Sequence, residues 1–165
     1  MFTMTDSSPS SESAARQPHQ DWAQFEQHAA GVVSALRDYS RAVDASGLDK
    51  GLVELLKLRA SQINGCAFCL QFHLNLARKL RVPQAQLDQL AAWRDSSLFS
   101  ARERAALAWT EALTRMAAAP VEAGLYAQLQ TQFSDVEIAN LTAAIGAINA
   151  WNRIAGALRF TPPAA

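Results

Sequence analysis

The sequence predicts an all-α domain, and three observations predict it. Apolar residues recur at alternating steps of three and four, which places them on single helix faces. Two of the apolar runs are preceded by a serine with a glutamate three positions on, the spacing of a capping box. No stretch alternates apolar and polar residues between turn signals, as a half-buried strand would. The composition agrees. Of 165 residues, 50% are hydrophobic and only 18% charged, against about 25% charged in an ordinary soluble domain. That length suits one compact domain with a single core. Seven glycines and six prolines are too few for a low-complexity chain or a turn-rich sandwich. Fifteen basic and fifteen acidic residues cancel, so charge offers no case for nucleic acid or an anionic membrane surface. Two cysteines cannot build a disulfide scaffold.

The elements follow in order. Residues 1–19 carry Ser7, Ser8, Ser10, Ser11 and Ser13 and lack the basic start and apolar run of a signal peptide. They read as a disordered polar leader ahead of one domain over 20–161, in a protein expected to be cytoplasmic. Trp22, Phe25, Ala29, Val32, Leu36, Tyr39 and Val43 share one helix face. A second helix starts near Asp49, carries Leu52, Leu55, Leu56, Leu58 and Ile63, and ends at Asn64-Gly65, a pair suited to a left-handed C-cap. A third runs from about Cys66 to Leu80 and stops before Val82-Pro83, because the residue before proline avoids helical geometry. A short helix with Leu87, Leu90 and Ala91 follows Pro83. Ser100 with Glu103 and Ser134 with Glu137 open two more helices; at the second, Phe133 is placed to staple onto Ile138. Pro120 opens a short helix through Leu125 and Leu129, and Pro162-Pro163 ends the structured part. The most apolar segment, Ile138 to Leu158, is interrupted by Asn140, Asn149, Asn152 and Arg153. It falls short of the roughly 20 apolar residues that span a bilayer and reads as a helix buried in a core or subunit interface.

The chemistry concentrates in one segment: Glu54, then Cys66-Ala67-Phe68-Cys69, then His73. Spacings of three and four put both cysteines and the histidine on one helix face. The cysteines fall in the first turn, where free amides and the helix dipole favour a thiolate and lower a thiol pKa from about 8.5 to between roughly 3.5 and 7.5. His73 can exchange the thiol proton, and Glu54 can orient His73 if the two helices fold back on each other. That is the nucleophile, base and orienter of an activated thiol. A zinc site from Cys66, Cys69, His73 and a carboxylate competes, but no second ligand pair exists. Haem attachment needs His directly after the second cysteine, where Leu70 stands, and a thioredoxin-type site needs a βαβ setting. An inert pair of small buried thiols is the remaining reading.

The run from Glu54 to His73, ELLKLRASQINGCAFCLQFH, resembles the signature of the AhpD-like alkylhydroperoxidases of the carboxymuconolactone decarboxylase superfamily. The similarity extends through Ala92-Trp93-Arg94, Phe99 to Glu111 and Ile148 to Arg153, and so covers about residues 20–160. It implies an all-helical fold assembling as homotrimers or homohexamers, and a cysteine peroxidase without haem, flavin, metal or other cofactor. It also implies that Cys69 attacks the hydroperoxide and Cys66 resolves the sulfenic acid to a disulfide, with His73 and Glu54 as proton relay. A thiol or lipoyl-type donor protein would return the electrons. By thioredoxin-type reasoning Cys66 is the more acidic thiol, so the order of the two stays open. The best-known members place a second histidine directly before the second cysteine; here Phe68 occupies that position and the relay is shorter. The family's decarboxylases lack the cysteine pair, which places a lactone lyase with His73 as base behind the peroxidase, as the first alternative. A non-catalytic redox-sensing or binding module is the second.

The other candidates read as structural. His19 and His28 are expected in solvent, and Trp93, Trp109 and Trp151 in core or interface positions. For Trp151-Asn152-Arg153 a packing role is favoured over lining a pocket beside the thiols. Arg59 lies off the i+4 face of Glu54, which suits a surface or intersubunit role as well as a catalytic one. Glu111 is undecided between a buried partner in a helix pair and other roles.

Overall fold

The structure is a computed structural model that describes residues 17–165; of the leader expected over 1–19, residues 1–16 lie outside them. Among the described residues there are eight α-helices, one 3₁₀ turn and no strand. The helices are α1 (Trp22–His28), α2 (Ala30–Asp44), α3 (Lys50–Asn64), α4 (Ala67–Lys79), α5 (Gln84–Gln89), α6 (Ala101–Thr114), α7 (Ala123–Gln130) and α8 (Asp135–Leu158). The 3₁₀ turn, Leu90–Ala92, directly follows α5.

Local chemistry accounts for most of the boundaries. The Asp49 carboxylate accepts from the Leu52 amide at the start of α3. Gly65 closes that helix in the left-handed conformation at φ 66°, where a side chain would be strained. Ser100 and Glu103 form the expected capping box on α6, and Ser134 and Glu137 form the one on α8. Two boundaries differ from expectation. The run from Trp22 to Val43 is broken at Ala29, whose φ and ψ of −127° and 37° are not helical. Its apolar residues have two destinations: Trp22 and Phe25 join an aromatic cluster with Phe160, while Val43 enters the main core. The helix expected from Pro120 starts three residues later, because Glu122 is still extended as its N-cap.

Helix α3 is the centre of the bundle and packs on α4, α6 and α8. Leu55, Leu56 and Leu58 from α3, Leu107 from α6 and Leu141 and Ile145 from α8 are fully buried in the main core. Each contributes about 1.5–3 kcal/mol by leaving water. The apolar segment Ile138 to Leu158 thus buries Ile138, Leu141, Ala144, Ile145 and Ile148 within its own chain. A second cluster gathers Ala60, Cys66, Cys69, Ile148, Ala155 and Phe160, with Trp22, Phe25, Phe68 and Trp151 against it. Among the described residues no helix is long and apolar enough to cross a membrane.

Candidate active site

The second cluster holds the dithiol at the junction of α3 and α4. After the Gly65 turn the chain reverses, so α4 folds back along α3 and brings His73 to Glu54. His73 Nδ1 lies 2.7 Å from Glu54 Oε2, and Lys57 Nζ lies 3.0 Å from the other carboxylate oxygen. Both partners of the first contact are buried. Burial pushes the Glu54 carboxyl up, but the hydrogen bond and charge of His73, with those of Lys57, outweigh it and hold the pKa below its ordinary value. An ionised carboxylate only accepts, so His73 Nδ1 donates in this contact.

Cys66 is the N-cap of α4, and its sulfur accepts the Cys69 backbone N–H at 3.3 Å. The two sulfurs are 2.6 Å apart, and both side chains are buried. The Cys69 thiol donates to Cys66 and lowers its pKa. Burial opposes this; the Cys69 amide, the Asn152 side chain and the Phe68 amide add to it, leaving Cys66 at about 7. Cys69 is pushed far up by the same shared proton, by burial and by the neighbouring negative charge. Of the two thiols Cys66, at the helix start, is therefore the one that ionises first. Among the described residues no group of three or more His, Cys, Asp or Glu side chains is placed to hold a metal ion.

A third layer comes from α8. Asn152 is buried; its Nδ2 donates to Ser61 Oγ at 3.0 Å and its Oδ1 accepts from Asn64 Nδ2 at 2.8 Å. Asn64 also donates to Asn149 Oδ1. These bonds tie α8 to α3, as the packing role favoured for Asn152 expects. Its Asn-x-x-Asn spacing from Asn149 on an apolar helix is the signal that marks it. Arg59 is neither at the surface nor at the dithiol, since its Nε lies 2.7 Å from buried Glu111. Glu111 also receives Trp93 Nε1, Arg94 and Arg115. Trp93 and Trp109 are core residues, whereas Trp151 is half-buried in the aromatic cluster.

An all-helical bundle with an acidified dithiol at a helix start and a His–Glu pair one turn away defines a class of helical dithiol proteins. Residues 30–112 match the carboxymuconolactone decarboxylase family, and the chain belongs to that family, within its AhpD-like superfamily branch. It is 32% identical over 123 residues to the uncharacterized protein YdfG of Bacillus subtilis (strain 168), covering 74% of this chain and 84% of that one. Among solved structures it is similar to ATU0492 of Agrobacterium tumefaciens, a protein of unknown function described as a candidate antioxidant defence protein AhpD. The two share 34% identity and a TM-score of 0.85, over 90% of this chain and 100% of that one. An uncharacterized peroxidase-related protein from Silicibacter sp. TM1040 follows at 27% identity and a TM-score of 0.72, over 79% of this chain and 70% of that one.

Proposed function

We propose that the protein is a thiol-dependent peroxidase that reduces a hydroperoxide through a Cys66–Cys69 dithiol–disulfide cycle, with His73 and Glu54 as proton relay. One observation carries the reading: two sulfurs 2.6 Å apart, one of them held at about pKa 7, so that a nucleophile and its resolving partner coexist at neutral pH. A thiolate attacks the terminal peroxide oxygen, the O–O bond breaks, and the sulfur becomes a sulfenic acid. The leaving alkoxide takes a proton through His73 and departs as the alcohol. The second thiol then displaces hydroxide, which leaves as water, and closes the disulfide. Two electrons from an external dithiol or lipoyl-type donor protein restore the pair.

The family resemblance assigns the attack to Cys69, whose proton passes to Cys66 across the short contact. The earlier ionisation of Cys66 favours a second order, with Cys66 attacking first. Rapid-mixing kinetics on the pre-reduced protein test the whole reading. Peroxide loss in step with loss of two hydrogens from the Cys66–Cys69 peptide supports it, and thiols that stay reduced under excess hydroperoxide overturn it. Single Cys→Ser variants decide the order, because the attacking cysteine is the one that still forms a trappable sulfenic acid alone. A trimeric or hexameric assembly and a single domain over 20–161 belong to the same proposal. Mass measurement of the native protein in solution tests the assembly.

A further inference from the structure

A cavity of about 460 Å3 opens between α6 and α7, and none of the residues lining it belongs to the cluster around the sulfurs. Its walls set two guanidiniums beside a small apolar floor. Trp93 and Arg94 come from the segment after the 3₁₀ turn, Arg104, Ala105 and Ala108 from α6, and Leu125 from α7. The other lining residues are uncharged, so the cavity meets two positive charges and no carboxylate. Neither cation is fully neutralised from behind. Arg94 reaches Glu111, but that one carboxylate also holds Arg59 and Arg115. Arg104 binds the backbone carbonyls of Trp93, Arg94 and Ser96 and makes no ion pair among the described residues. Glu103, its acidic neighbour in sequence, is bound in the capping box with Ser100. Both guanidiniums lie on one ring, with Cζ of Arg94 4.3 Å and Cζ of Arg104 5.6 Å from the centroid of Trp93. Like charges held this near repel, and an anion shared between them offsets the repulsion. A guanidinium has five N–H donors. Among the described residues Arg94 gives one bond and Arg104 three, which leaves donors on both.

We propose that this cavity is a second ligand site, for a small organic anion: a carboxylate held by Arg94 and Arg104 on an apolar body that rests against Trp93, Ala105, Ala108 and Leu125. Its volume falls in the range of small-molecule sites, roughly 300–1,000 Å3, and the guanidinium fork matches the two oxygens of a carboxylate. The site stands whether or not the dithiol reduces peroxides. Calorimetric titration of the full-length protein with 1-naphthoate tests it, with 1-naphthalenemethanol as the uncharged counterpart. One naphthoate should bind per chain, and the alcohol about ten-fold more weakly. Arg94→Gln removes one charge from a side chain that is 61% exposed. It should weaken naphthoate about ten-fold and leave the alcohol unchanged. Ala105→Leu keeps both charges and fills the floor, so it should weaken both probes; it carries the test if the first variant fails to fold. Raising the salt from about 0.05 M to about 0.5 M should weaken naphthoate alone. No saturable binding, or equal affinity for the two probes, overturns the inference. Wild-type affinity in both folded variants also overturns it, because the probe then sits elsewhere, in the aromatic cluster by the sulfurs.

Discussion

Glu54 keeps its charge in a place where a lone carboxylate would give it up, because Lys57 and His73 each hold one of its oxygens. Glu54→Gln leaves Lys57 facing a neutral amide and frees the His73 ring to turn. The expected result is a loss of about a hundred-fold in peroxide reduction at neutral pH, with both cysteines still present and alkylatable. Kinetics alongside thiol counting check it. The substitution also changes acid stability. Folding lowers the Glu54 pKa below its ordinary 4.5, so the unfolded chain takes up this proton first as the pH falls. The stabilisation is complete above about pH 4.5 and disappears as the pH drops through the folded value. Urea midpoints measured down the acid limb should therefore fall less steeply for Glu54→Gln than for wild type. The meeting of Glu54 with His73, and of Cys66 with Cys69, is legible from sequence because a helix, a glycine turn and a returning helix convert spacing into proximity. Asn152 was not legible in the same way, since its partner Asn64 lies 88 positions away and only the fold joins them.

Between elements, Glu111 acts as the clamp that keeps α3, α6 and the segment after the 3₁₀ turn in register. Arg59 reaches it from α3, Trp93 and Arg94 from that segment, and Arg115 from the next turn of the chain. Burial pushes the Glu111 carboxyl up, but the Trp93, Arg94 and Arg59 hydrogen bonds and the Arg59 charge bring it down to about 2. Relative to an ordinary 4.5, that corresponds to about 3 kcal/mol of stability, present above about pH 4.5 and lost as the pH falls toward 2. Glu111→Ala is expected to cost about 3–5 kcal/mol, because it strands the buried Arg59. Arg94→Ala and Arg115→Ala, each more than half exposed, should cost under about 1 kcal/mol. Denaturant unfolding separates the two outcomes. Such a clamp is invisible to periodicity, which reads only neighbours along one helix. The same contrast runs through the helix ends: Ser100, Ser134 and Gly65 were legible as caps because capping is local. The break at Ala29 was not, because distant aromatic partners make it.

Across the whole molecule, the two ends of the described chain meet over the dithiol. The His19 amide donates to the Leu158 carbonyl at 3.0 Å, and the rings on either side interlock. Phe160 sits edge-on to Trp22 at 5.8 Å and to Phe68 at 5.3 Å, while Trp22 also meets Trp151 at 5.9 Å. These rings belong to α1, α4, α8 and the tail after it, so the layer over the sulfurs holds only while the termini stay docked. Terminal segments open locally more readily than a central core does, so under the proposed function this layer is the expected route to the sulfurs. Phe160→Ala removes the buried ring that touches both Trp22 and Phe68. It is expected to cost about 3–5 kcal/mol and, in protein still folded, to raise the rate of Cys66 alkylation without shifting its thiolate midpoint. Alkylation rates corrected for the thiolate fraction measure this directly. An unchanged rate would mean that the sulfurs are reached from the α3–α4 side instead, past His73 rather than past the termini. The two routes predict different responses, because only the first couples access to the docking of α1 and the tail.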